Sequence, residues 1–119
     1  MSKKILMIDD EEDLIFLVSF RLKSKGFEVV TASGGAEGIE KAKAENPDLI
    51  LLDVMMPEMD GYQTAKKLRS ENITAPIVFL TGTVDPLKKP ECIEEFGNNY
   101  VLKPFEPDEL IEKINKELP

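Results

Sequence analysis

Five polar side chains close short apolar runs in this chain. Asp9 and Asp10 follow Ile5-Leu6-Met7-Ile8, and Asp53 follows Leu49-Ile50-Leu51-Leu52. Thr81 follows Ile77-Val78-Phe79-Leu80, and Lys103 follows Tyr100-Val101-Leu102. Three carboxylates brought together repel unless a cation sits among them or one keeps a proton. Hard oxygen donors suit magnesium, which retains several waters and takes one or two carboxylates. A carboxylate is also a nucleophile toward phosphorus. Phosphoryl transfer needs its equatorial charge neutralised more than it needs covalent help. A divalent cation, a lysine and a hydroxyl are the groups that would do so.

Positioning such a set falls to the elements around it. Ile5–Ile8 reads as a buried strand, and Leu14, Leu17, Val18 and Leu22 then recur at helical spacing, with Gly26 as a C-terminal cap. Phe27 to Ala32 carries Val29, Val30 and Thr31 and reads as a second strand. Ser33 is placed to cap a helix to about Ala44, with Ala36 and Ile39 inward and Asn46-Pro47 as its stop. Asp48 to Leu52 does not alternate, as expected of a strand buried on both faces. Met55 to Gly61 holds Pro57 and Asp60-Gly61 and is a loop. Tyr62 to Ser70 is a helix with Ala65 and Leu68 inward. Residues 77–80 and 100–102 are the fourth and fifth strands. Pro107 suits the first turn of a last helix, with Asp108 and Glu109 at its positive end and Leu110, Ile111, Ile114 and Leu118 on its apolar face.

Strands alternating with helices predict a parallel sheet covered on both faces. In such a sheet the five polar residues lie along one carboxyl edge, where ligands bind at the point of strand-order reversal. Taken singly each has an ordinary reading. Asp9 or Asp10 caps a helix, Asp53 is a turn acid, Thr81 bonds loop backbone and Lys103 is a solvated lysine. Jointly those readings lose force, because four strands deliver polar residues to one edge. Ser33-Gly34-Gly35 lacks the GxxxxGK[ST] pattern and is a capped turn rather than a phosphate loop. Pro86 and Pro90 fall in the segment between the last two strands, so a fourth helix there is short or distorted, with Ile93 and Phe96 as its apolar residues.

Composition narrows the function further. The 119 residues suit one domain, 1–119, and the 42% hydrophobic fraction suits one core. The net charge of −8 argues against direct nucleic-acid or anionic-membrane binding. Cys92 is the only cysteine and histidine is absent, which excludes an internal disulfide, the usual zinc sets and histidine-based triads. The opening MSKKILMIDD is too short in apolar residues for a signal peptide or membrane span, so a cytoplasmic protein is expected.

Four motifs, KKILMIDDEED, PDLILLDVMMPEMDGYQ, VFLTG and YVLKPF, stand in this order, in a match that covers the chain from Lys4 to Leu118. Together they resemble the receiver domain of two-component response regulators. The resemblance implies a CheY-like, flavodoxin-like doubly wound α/β sandwich, with a five-stranded parallel sheet in the order 2-1-3-4-5 and five helices. It implies that Asp53 is phosphorylated. Asp10, Asp53 and the Met55 backbone carbonyl would hold magnesium, or manganese in its place, and Asp9 would act through a coordinated water. Thr81 and Lys103 would contact the phosphoryl group, Tyr100 would be the switch aromatic, and the Lys103–Pro104 bond would be cis. Gly82, Asn98 and the proline-broken fourth helix depart from the commoner pattern.

The function so implied is a phosphoacceptor switch, not a turnover enzyme. Its phosphoryl group would come from a sensor histidine kinase or phosphotransfer protein. Its output would pass to a partner at the face of the fourth helix, fifth strand and last helix, from a monomer or a weak phosphorylation-dependent dimer. A stand-alone receiver and a domain of a longer regulator both fit. Two alternatives stay open. One is a receiver-like binding module without phosphorylation. The other is an aspartyl-phosphate phosphatase or phosphotransferase, disfavoured because Met55 stands where hydrolases of that kind place a second acid.

Overall fold

A computed structural model describes residues 2–82, 96 and 99–118. The elements run β1 (Lys4–Ile8), α1 (Glu12–Ser24), β2 (Glu28–Ala32), α2 (Gly35–Glu45), β3 (Leu49–Asp53), α3 (Gly61–Ser70), β4 (Ile77–Thr81), β5 (Tyr100–Leu102) and a last helix, α4 (Pro107–Glu117). The expected short helix between β4 and β5 lies outside the described residues apart from Phe96, which is buried.

All strands are parallel, in the order β2-β1-β3-β4-β5. The chain moves outward from β1 to β2, returns past β1 to β3, and continues outward. The strand order therefore reverses between β1 and β3, and the carboxyl ends of those two strands flank the crevice.

Strand side chains alternate between the two faces. Leu6, Ile8, Ile50, Leu52, Ile77 and Phe79 join one cluster, with Ile39 and Ala42 of α2, Ala65 and Leu68 of α3, and Phe96. Ile5, Met7, Leu49, Leu51, Val78 and Leu80 join the other, with Val18 and Leu22 of α1 and Leu110 and Ile114 of α4. Burial on both faces is why β3 and β4 read as unbroken apolar runs.

Three helix details differ from the sequence reading. Leu17 is 55% exposed, whereas Val18 and Leu22 of the same set do turn inward, joined by Ser19. Ala36 is exposed, and α2 buries Gly35, Gly38, Ile39 and Ala42. At Gly38 a Cβ would collide with Ile8, so a small residue lets α2 lie close on the sheet. Ser33 is not the cap of α2. Gly34 holds that position, and the Ser33 amide and hydroxyl both donate to Glu37 Oε1, at 2.7 and 2.9 Å. Asn46 does end α2, in the left-handed conformation that asparagine tolerates (φ 49°).

Candidate functional site

Asp53 is the last residue of β3 and is only 3% exposed. Its depth follows from the loop that comes next. Gly61 donates its amide to the Val54 carbonyl at 2.8 Å and folds the loop back over the strand end. A Cβ at Gly61 would meet the Asp53 carbonyl oxygen and the Val54 backbone, so only glycine fits this crossing. The next helix is then fixed by a reciprocal cap. Asp60 Oδ1 accepts from the Gln63 amide at 2.8 Å, and Gln63 Oε1 accepts from the Asp60 amide at 3.0 Å. The DGYQ tetrapeptide contains that cap, and sequence reasoning read it only as a turn.

β1 brings Asp9 and Asp10 to the same edge. One carboxylate oxygen from each of Asp9, Asp10 and Asp53 lies within 4.8 Å of the others. Asp9 is fully buried while Asp10 is exposed. Asp9 Oδ1 accepts from the Glu11 amide at 2.9 Å, and Asp9 Oδ2 accepts from Lys103 Nζ at 3.0 Å. Both its oxygens are therefore engaged, one of them in a local turn, and neither Asp9 nor Asp10 caps α1, whose N-cap is Glu11 with no side-chain cap hydrogen bond. Asp53 Oδ1 accepts from the Met55 amide at 3.3 Å.

Lys103 is not a solvated lysine. Its side chain is 18% exposed, and its ammonium lies 2.7 Å from Glu11 Oε1, 3.0 Å from Asp9 Oδ2 and 3.4 Å from Asp53 Oδ1. The Lys103 amide also donates to the Thr81 carbonyl at 2.7 Å, tying the ends of β4 and β5 together. Thr81 is buried at the end of β4, opposite Leu102. The Lys103–Pro104 bond is cis, as the resemblance implies. Half-buried Tyr100 begins β5 opposite Phe79 and packs against the cluster containing Phe79 and Phe96. It stands on the neighbouring strand to Thr81, away from the acids.

The electrostatics follow from the geometry. Burial pushes the Asp53 carboxyl up to about 7, helped by the charge of Asp9 and by Asp10, against the pull of Lys103. Burial alone would lower the Lys103 ammonium, but its hydrogen bonds to Glu11 and Asp9 and the charges of Asp9 and Asp53 hold it above its ordinary value. An acid held this way is stable with a proton or a cation beside it. The convergent all-oxygen donor set fits a hard divalent cation, with exposed Asp10 open to solvent beside Asp53.

The sequence-predicted residues Asp9, Asp10, Asp53 and Lys103 thus meet, with Thr81 at the adjoining strand end. Glu11 was missed. Its signal was adjacency to the acid pair in DDEED, which sequence alone does not separate from an ordinary first-turn acid.

This doubly wound parallel sheet, with three acids and a lysine gathered at its carboxyl edge, is a flavodoxin-like fold. The chain matches the response regulator receiver domain family over residues 5–115 and belongs to that family. It is 41% identical over 114 residues to the alkaline phosphatase synthesis transcriptional regulatory protein PhoP of Bacillus subtilis, covering 96% of this chain and 48% of that protein. It is 40% identical over 114 residues to the transcriptional regulatory protein SrrA of Staphylococcus aureus, covering 96% and 47%. The chain therefore spans about half the length of these curated relatives. Among solved structures it resembles chemotaxis protein CheY4 of Vibrio cholerae (TM-score 0.90, 33% identity, 99% of this chain and 100% of that one). It also resembles the response regulator TrrA of Thermotoga maritima, solved in complex with Mg2+–BeF (TM-score 0.85, 34% identity, 98% and 99%). No described helix is long and apolar enough to cross a membrane.

Proposed function

We propose that Asp53 accepts the phosphoryl group through which this receiver domain signals. The observation that carries this reading is the convergence on one buried carboxylate of two further acids and the Lys103 ammonium, 3.4 Å from Asp53 Oδ1.

An Asp53 carboxylate oxygen attacks phosphorus as the bond to the donor breaks. With a phosphohistidine of a sensor kinase or phosphotransfer protein, the imidazole nitrogen leaves. With acetyl phosphate, acetate leaves. Asp10 and Asp53, with the Met55 carbonyl beside them, would hold magnesium, which neutralises charge on the acids and the transferred oxygens. Asp9 would hold a metal-bound water, since both of its oxygens already accept hydrogen bonds. The Mg2+ in the TrrA complex supports this choice of cation.

Phosphorylation would replace one carboxylate charge by about −2. Lys103 pairs with that charge, the Thr81 hydroxyl turns toward it, and Tyr100 moves into the space Thr81 leaves. The result is a shift between two existing states. Its readout is the β5–α4 side of the sheet, where Tyr100, Leu102, Glu109 and Lys113 line a groove. Because PhoP and SrrA are transcriptional regulators about twice this length, the output partner is proposed to be a regulatory domain or protein of that type. A cytoplasmic location belongs to the same reading.

Intact mass after incubation with magnesium and acetyl phosphate tests it. One phosphoryl group is expected on the parent protein and none on Asp53→Asn. An unchanged parent mass leaves a binding module as the better account, and sustained phosphate release over many turnovers favours an enzyme.

A further inference from the structure

The shortest ion pair in the site belongs to a residue outside the predicted set. Lys103 Nζ lies 2.7 Å from Glu11 Oε1 and 3.0 Å from Asp9 Oδ2, both lengths of charge-assisted hydrogen bonds. Asp53 Oδ1, at 3.4 Å, receives the charge without so close a contact. Asp9 is fully buried and held through both oxygens. Glu11 differs: its side chain is 59% exposed, at the mouth of the site on the turn into α1.

We infer that Glu11 is a positioning residue that draws the Lys103 ammonium toward the mouth of the site, closer to itself (2.7 Å) than to Asp53 (3.4 Å), so that the ammonium must loosen its contact with Glu11 to pair closely with a phosphoryl group on Asp53. This rests on Asp53 being the acceptor. The ammonium has three donors and a long, rotatable stem, so a small swing exchanges one partner for another. A phosphoryl group of about −2 outbids a single carboxylate for those donors. Until it arrives, the Glu11 contact favours the unphosphorylated arrangement. The contact is partly solvated and therefore weak, which suits a reversible hold rather than a permanent lock.

The test is a double-mutant cycle on the initial rate of phosphorylation by acetyl phosphate at saturating magnesium. Glu11→Gln keeps the side chain's length and removes its charge. The expected result is a rate increase of about two- to fivefold, the size of a partly exposed ion pair, shrinking as salt is raised. In a Lys103→Ala background the increase should be absent or clearly smaller. An equal increase in both backgrounds would mean that Glu11 acts on the anionic donor directly, and the inference fails. No increase also overturns it. The second readout needs no phosphorylation: the NMR signal of the Lys103 side-chain ammonium in the metal-free protein. Glu11→Gln should shift that signal and speed its proton exchange with water, and an unchanged signal overturns the inference. A parent protein that takes no phosphoryl group sinks the acceptor reading instead, while the ammonium signal still decides whether Glu11 holds Lys103.

Discussion

Lys103 and Asp9 meet at 3.0 Å although 94 residues separate them in the chain. Asp9 has no solvent exposure and Lys103 little. Breaking such a pair from one side strands a buried charge, which costs far more than losing a surface contact. The first prediction follows. Lys103→Ala should lower the metal-free protein's stability by about 3 kcal/mol, read as a drop in the urea midpoint. Millimolar magnesium should restore much of the loss, because a divalent cation then neutralises the stranded acids. A midpoint unchanged by the substitution would contradict the pairing.

Asp53 predicts a pH dependence. Its folded carboxyl titrates at about 7, above its ordinary value of 3.8. The folded state therefore holds this proton more tightly than the unfolded state. That contribution to stability is fully present below about 3.8 and is lost as pH rises through about 7. Without metal, Asp53→Asn should be more stable than the parent at pH 8, and the gap should close as pH falls toward 4. Magnesium affinity should weaken on the same descent, since proton and metal compete for one carboxylate. Thermal melts of the two proteins at several pH values, with and without magnesium, measure both effects.

Gly61 is where the loop crosses the end of β3. Gly61→Ala puts a methyl group against the Asp53 carbonyl oxygen and the Val54 backbone, neither of which has room to move. The expected loss is about 1–3 kcal/mol, together with slower phosphoryl uptake because the displaced backbone carries Asp53. Gly82→Ala has open space around it, caps no helix, and is the matched control. Chemical denaturation compares the two.

The corrected face of α1 gives a prediction about the core. Leu22 is 1% exposed and Leu17 is 55% exposed. Leu22→Ala should cost about 2–5 kcal/mol, and Leu17→Ala no more than about 0.5 kcal/mol. Equal losses would mean that α1 is rotated about its axis from the orientation that buries Leu22 and exposes Leu17.

Most of the sheet was readable because two physical patterns coincide in it. Doubly buried strands leave unbroken apolar runs, and each run ends in the residue that the sheet edge presents. That is why Asp9, Asp10, Asp53, Thr81 and Lys103 were visible as a set, while the strand order 2-1-3-4-5 came from the family resemblance. Helix faces were less readable. Leu17 is as apolar as Leu22, and one step of about 100° around the helix separates Leu17 from buried Val18. Ala36 misled for a different reason: α2 turns Gly35, Gly38, Ile39 and Ala42 inward, and Gly38 lies so close to Ile8 that the inward face is marked partly by glycines instead of by apolar side chains. Glu11 was hidden because its partner lies 92 residues away. No local spacing marks such a contact.

The central claim is that the phosphoryl group resides on Asp53 and on no neighbouring acid. An acyl phosphate is reduced by borohydride to the alcohol, so a phosphorylated aspartate becomes homoserine in place. Borohydride treatment after incubation with acetyl phosphate and magnesium, followed by peptide mass analysis, locates that residue. Homoserine at position 53 alone is the predicted result. Homoserine at Asp9 or Asp10, or a phosphorylated protein with no homoserine at all, would contradict the account.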